Sequence, residues 1–392
     1  MESSLKYRCI FLLILLSLFS FLIFLPQTVF SEELNIRIAV AKKIDNCVIA
    51  IRGGYQIIDL SNGKVLEDAR KLDPARVVFR NNGIHIGKRF YQLKRVRIDL
   101  QKDVALFVNN VKKRYRGSID IIGDPKDGLT IINSLDLETY IKGVLYHEVS
   151  HKWPLEAMQA QAVATRTYAL YQMKKNAKMS FDVTSDIYSQ VYGGRSAERY
   201  RTNLAVERTN GEVLSFNGEV LPAYFHSNSG GHTEDVSELW EHDLPPLKGV
   251  KDEFAQSAPS YQWKKNFKSS DIQNKLNQHG FNLGLIKEIR VVERNKSGRI
   301  RNLEILTRDG KSKIISGKKF REIIGPNEIR SNMYDVVMKG YYFDLIGKGW
   351  GHGVGMCQWG AYTMSQQRYN YEEILKYYYP GVEIVKVGYD YE

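Results

Sequence analysis

The chain has 392 residues, 43% of them apolar and 26% charged, an ordinary globular composition that is long enough for two or three domains and excludes a disordered or fibrous protein. Three cysteines exclude a disulfide scaffold and any thiolate-rich metal site. The formal charge of +12 favours an anionic environment such as a cell-wall polymer, a membrane surface or nucleic acid, but no basic run, zinc finger or RNA-binding signature supports nucleic acid as a partner.

Lys6 and Arg8 precede an uncharged apolar run over residues 9–25, followed by Pro26 and by Val29-Phe30-Ser31. This is the pattern of a signal sequence over residues 1–31 with cleavage after Ser31. The run is slightly long for a cleaved signal and slightly short for a comfortable span, so an uncleaved anchor is the alternative. On either reading the rest of the chain is exported to the cell envelope, and a membrane is met only through this segment. Cys9 lies in the run, which leaves Cys47 and Cys357 to form one disulfide or to stay free.

Residues 32–111 alternate in strand fashion, as in Ile36-Arg37-Ile38-Ala39-Val40, with turn signals at Gly53-Gly54, Asn62-Gly63 and Asn82-Gly83. A β-rich accessory domain without a catalytic constellation is expected there. Residues 116–133 predict a hairpin that delivers the chain into the most informative stretch, residues 135–175. Leu137, Tyr140, Ile141, Val144 and Leu145 have the spacing of one buried helical face, with Asp136 as a natural N-cap. Four residues beyond Val144 the same stripe lands on Glu148. A carboxyl on an apolar face loses solvent, which raises its pKa and suits it to act as a general acid. The alternative is that Glu148 only ends the helix and pairs with Arg166, a cation inside the otherwise apolar second helix that begins at Pro154. Ala157, Ala160, Ala162 and Ala164 in that helix allow close approach of a neighbour.

His147-Glu148-Val149-Ser150-His151 also spells H-E-x-x-H, the zinc-peptidase pattern. Trp153-Pro154 biases the chain out of helix just beyond it, no Asp, Glu or His follows between Ala157 and Phe181, and the position six residues after His151 is Ala157. The zinc peptidase is therefore the most distant of the readings, and no metal or other cofactor is expected.

Beyond the helices, Gln190 and Tyr192 stand beside paired glycines, and a short hairpin is expected around residues 211–218. Residues 220–226 predict a strand that runs into Ser227-Asn228-Ser229-Gly230-Gly231. This segment lacks the leading glycine of G-x-S-x-G, so it suits a loop against a polar ligand, or an ordinary tight turn, rather than a serine nucleophile. Tyr261-Gln262-Trp263-Lys264 offers aromatic faces and a cation, either for sugar stacking or for core packing. Residues 269–277 and 317–324 predict short helices, with strands over 286–315. Gly347, Gly349, Gly351, Gly353 and Gly355 recur at every second position, and at a strand period of two they leave one face without side chains while His352 lies on the other. Helices are expected from Met356, with Gln358 in the first turn, and over 371–378.

Four ordered blocks resemble the SpoIID/LytB family, exported proteins of bacterial cell-wall remodelling: YIKGVLYHEVSHKWPLEAMQAQAVATRTYAL, SQVYGG, YFHSNSGGHTE and GKGWGHGVGMCQWGA, closed by ILKYYYPG. The resemblance covers roughly residues 112–387 and implies a SpoIID/LytB-like catalytic domain over 112–392. The overall expectation is an α+β fold, mixed helices and antiparallel sheet around a glycan-binding cleft, with the N-terminal β-rich region as an accessory. SpoIID-type members are lytic transglycosylases of peptidoglycan, and LytB-type members enhance a partner amidase. Glu148 corresponds to the family's catalytic glutamate and Arg166 to a site residue. Arg166, Gln190, Tyr192, Ser227, Ser229, Gly230, Tyr261, His352 and Gln358 are the implied substrate-binding set, with Arg166 stabilising the Glu148 carboxylate or orienting the glycan. The family usually has Glu-Met-Pro at the acid, where this chain has Glu148-Val149-Ser150, and some relatives hold zinc through mid-chain cysteines that are missing here. The implied partners are peptidoglycan glycan strands and, on the enhancer alternative, an N-acetylmuramoyl-L-alanine amidase.

Overall fold

The computed structural model describes residues 34–108, 111–186, 189–259 and 261–387, so the signal or anchor expected over residues 1–31 lies outside the described residues. Residues 34–387 form a single compact unit. Its N-terminal part is an eleven-stranded sheet in which Asn35–Ile44 pairs antiparallel with Gly128–Asp136, which pairs with Ser118–Asp124. Arg95–Leu100, Asn46–Asp59 and Val65–Arg80 continue it outward. The expected hairpin at 116–133 is the pair Ser118–Asp124 and Gly128–Asp136, closed by Asp124 accepting from the Lys126 and Asp127 amides. The domain boundary expected at residue 111 falls inside this sheet, because the strands after it pair with strands before it. The expectation of an α+β fold, dominated by antiparallel pairing, matches the architecture.

Seven α-helices are present among the described residues. Helix α1 (Leu137–Glu148) and helix α2 (Leu155–Lys175) lie beside the sheet. In α1 the five positions expected to be apolar are all buried, and Asp136 Oδ1 accepts from the Thr139 amide at 2.9 Å. Pro154 occupies the cap of α2, one position before the helix proper. Met158, Ala162 and Ala169 of α2 belong to the core under the sheet, and Ala160, Val163 and Ala164 belong to a second core. A helix buried on both sides needs small side chains, which is why its alanines recur.

That second core is completed by helix α6 (Gln358–Gln366) and helix α7 (Tyr371–Tyr378). Against α1 and α2 packs α3 (Tyr200–Arg208), a helix the sequence pattern does not suggest, with only Thr202, Ala205 and Val206 buried, the last two in the first core. A third core belongs to a lobe in which two three-stranded sheets carry α4 (Ser269–Gln278) and α5 (Gly317–Ile324). Cys47 sits in the first core and Cys357 in the second, both as free buried thiols, so the disulfide alternative is not realised.

Candidate active site

Glu148 is the last residue of α1, because Val149 turns extended at φ −136° and ψ 149°. His151 therefore does not share a helix face with His147, the geometry an H-E-x-x-H zinc site requires. The helix register places the Glu148 side chain at the end of the buried stripe. Burial pushes its pKa up to about 7, against the opposing pull of the Gln358 side chain and the Val191 backbone N–H. Gln358, in the first turn of α6, donates from Nε2 to Glu148 Oε2 at 3.4 Å and lies 3.3 Å from Gln161 Oε1. Gln161 in turn donates to Thr165 Oγ1 at 3.1 Å. These partners of the carboxyl are neutral, and among the described residues no cation forms an ion pair with it. Nothing in the sequence pattern singles out Gln161, a fully buried amide in an alanine-rich face, or the Val191 amide.

Arg166 does not reach Glu148. Its Nε donates to Glu138 Oε1 at 2.6 Å and its Nη2 to Glu138 Oε2 at 2.8 Å, and it also donates to the carbonyls of Val206 and Glu212. The guanidinium is fully buried and clamps α1, α2 and α3 together, which corrects both the Glu148 pairing and the glycan-orienting role. Gln190 and Tyr192 are also turned into protein. Gln190 accepts from the Tyr140 hydroxyl at 2.9 Å and donates to the Thr165 carbonyl at 3.2 Å, while the Tyr192 hydroxyl donates to Asn133 at 2.9 Å. With their polar atoms occupied, they anchor the segment that carries Val191 instead of meeting a substrate.

The 227–231 loop packs against residues 349–357, as close-approach glycines imply. Asn228 bridges Trp350, and Phe225–His226 pairs in parallel with Met356–Cys357. The strand reading of the glycine run is corrected, however. The strand ends at Lys348, and Gly349, Gly351, Gly353 and Gly355 follow with φ of 77°, 115°, 94° and 71°. Each lies in the left-handed region, so glycine recurs for its backbone freedom rather than to bare one sheet face. A Cβ on Gly355 would also fall 1.9 Å from the Tyr224 carbonyl oxygen.

Ser229 is fully buried and donates to Asp252 Oδ2 at 2.6 Å, and its carbonyl accepts from Arg299 Nη2 at 2.6 Å. Gly230 offers its carbonyl to the Tyr261 hydroxyl at 3.2 Å. Ser229, Gly230 and Tyr261 thereby shape the loop, while Ser227 is half-buried and accepts at its carbonyl from the Trp359 amide. Trp263 is core, packed with its ring centroid 5.8 Å from that of Tyr334.

His352 lines a cavity of about 580 Å³, of the size that holds small ligands. Burial, reinforced by Arg321 and Arg299, pushes its pKa down to about 4, so the ring is neutral near pH 7. Tyr224 and Trp240 line the same cavity as a stacked pair, ring centroids 4.4 Å apart at 14°. Glu148 is not in its wall. Ser189 is, two residues from Val191, so roughly 7 Å of extended chain joins the cavity to the amide facing Glu148.

Comparison with known proteins places this geometry. A family model described as Stage II sporulation protein matches residues 125–216, and one described as a domain of unknown function matches residues 237–355. An uncharacterized protein of Brachyspira hyodysenteriae is 33% identical over 359 residues, 91% of this chain and 94% of that protein. Stage II sporulation protein D of Bacillus amyloliquefaciens is 30% identical over 269 residues, 64% of this chain and 75% of that protein. The amidase enhancer of Bacillus subtilis is 29% identical over 288 residues, 62% of this chain and 40% of that protein. The helix that ends in Glu148 and the alanine-rich helix that follows it both lie inside the first matched model, and the chain belongs to the SpoIID/LytB family, with a cell-wall-related function.

Proposed function

We propose that the protein is a peptidoglycan lytic transglycosylase with Glu148 as its single acid and base. The observation that carries this reading is the Glu148 carboxyl, raised to about 7 by burial and met by neutral donors alone. A group with that pKa is partly protonated at neutral pH, as a general acid must be, and its conjugate base still accepts a proton. A hydrolytic glycosidase generally needs a second carboxylate to activate water or to attack the sugar, and no second carboxylate is among the groups that shift Glu148.

In the proposed reaction Glu148 gives its proton to the glycosidic oxygen between N-acetylmuramic acid and N-acetylglucosamine as that bond to the muramyl C1 breaks. The muramyl C6 hydroxyl attacks C1 and forms the new C1–O6 bond. Glu148, now a carboxylate, takes the C6 hydroxyl proton and is restored. No water is consumed, and the product ends in 1,6-anhydro-N-acetylmuramic acid. Gln358 orients the carboxyl without fixing its charge.

Glu148→Gln tests the assignment. The variant is expected to keep glycan binding in a sedimentation assay and to lose turnover by a factor of about a thousand or more. Turnover at the wild-type rate would refute the role of Glu148. The likeness to an amidase enhancer supports a second reading, a non-catalytic glycan binder that recruits an amidase. Glycan binding together with stimulation of an added amidase, and no bond cleavage by the wild type, would favour it.

A further inference from the structure

The 580 Å³ cavity holds an electrostatic feature that the acid at Glu148 does not use. Lys318 and Arg321 stand one turn apart on α5 and both line its wall. Arg321 donates from Nε to the Ile329 carbonyl at 2.7 Å and from Nη2 to the Arg330 and Pro326 carbonyls at 3.1 and 3.3 Å. Lys318 donates to the Leu239 carbonyl at 2.6 Å. Among the described residues no carboxylate lies within ion-pair distance of either, although twenty-three such pairs occur elsewhere. Glu322 also lines the cavity, but its ion pair at 3.8 Å is with Lys319. Burial first, then repulsion from Arg299, push the Arg321 pKa down to about 10 against the weaker opposing pull of Tyr334 and Glu322, neither of which forms an ion pair with it.

The remaining wall suits a sugar. The stacked Tyr224 and Trp240 rings present an aromatic platform, and Asn332 Oδ1 is buried there without a hydrogen-bond partner, ready to accept from an amide or hydroxyl. A buried acceptor, a flat aromatic surface and two cations without an ion-paired carboxylate describe an acidic, acetamido-bearing ligand.

The geometry points to a carboxylate-binding subsite in this cavity, built by Lys318 and Arg321 of the region matched by the model described as a domain of unknown function, that seats a carboxylate of the wall polymer. It rests on the reading of the cleft as a glycan site. Two sources supply that chemistry, the lactyl carboxylate of a muramic acid without its peptide and the carboxylates of a stem peptide.

The test is a titration of the purified full chain, followed by NMR at neutral pH, with N-acetylmuramic acid, N-acetylglucosamine and L-alanyl-D-glutamate as probes. N-Acetylglucosamine has the ring and acetamide but no lactyl carboxylate. At least one acidic probe is expected to bind about tenfold tighter than N-acetylglucosamine, with the advantage lost in Arg321→Gln and reduced in Lys318→Ala. Lys318 is exposed, so its variant keeps the test decisive if Arg321→Gln fails to fold. Preference for N-acetylmuramic acid supports the subsite with the lactyl group as its source, and preference for the dipeptide supports it with the peptide. Acidic probes that bind no tighter than N-acetylglucosamine, or a preference that survives both substitutions, overturn the subsite alone when intact glycan strands still bind. Failure of the wild type to bind glycan strands at all overturns the glycan reading and the subsite together.

Discussion

Glu148 shows how position alone tunes a residue. Its pKa is raised above the ordinary glutamate value to about 7, chiefly by burial. Between about 4.5 and 7 the folded state therefore holds a proton that the unfolded chain has released, so this group's contribution to stability falls as pH rises through that window. Glu148→Gln removes the effect. The variant should be more stable than wild type by on the order of 2 kcal/mol at pH 8, and the difference should vanish at pH 4, as read from urea midpoints. A constant difference at both values would show that desolvation is not the cause. Activity should change in the same window, with kcat/KM falling above about pH 7 as the acid is lost. The continued apolar stripe that ends on Glu148 was legible in the sequence because helix periodicity is local. The partners of the carboxyl were not all legible: Gln358 lies 210 residues away and Val191 contributes a backbone amide, which no side-chain pattern reveals.

At the scale of elements, Arg166 and the glycine run divide structure from chemistry. The need of Arg166 for an anion was legible from its apolar helix, but the choice of Glu138 over Glu148 depends on how α1 and α2 cross, which is tertiary. Arg166→Ala should cost about 3–5 kcal/mol in chemical denaturation, because it leaves Glu138 without its bidentate partner, and Arg166→Lys should recover only part of it. Folded Arg166→Lys should retain kcat. Loss of kcat with stability unchanged would place Arg166 in the chemistry after all. Gly355→Ala should destabilise by about 3 kcal/mol, through its positive φ and the collision with the Tyr224 carbonyl. The period of two in the glycines was visible, yet alternate positive-φ positions and a bare strand face produce the same pattern. Helix α3 went unread because charged and polar residues outnumber its few buried ones.

Across the whole molecule, the described residues pack into three cores, and the outer lobe is tied to the second by a specific contact. Arg299 of the outer lobe is fully buried, and it donates to the Ser229 and His232 carbonyls at 2.6 and 2.8 Å, with Glu234 as its nearest countercharge. The lobe thus holds the 227–234 loop in shape. Arg299→Met should speed hydrogen exchange across residues 227–234 well before global unfolding, and unchanged protection there would show that the loop holds itself. The expected accessory region was legible as β-rich, but its continuity with the sheet beneath α1 was not, since pairing of Asn35–Ile44 with Gly128–Asp136 joins segments far apart in sequence. The measurement that bears most directly on the proposed activity is mass spectrometry of purified peptidoglycan glycans, intact and stripped of stem peptides, after incubation with the full chain. The expected result is 1,6-anhydromuramyl ends from at least one substrate and none with Glu148→Gln. Glycan bound but uncut in both preparations, with the wild type folded, would contradict the enzyme and leave the binding role of an amidase enhancer.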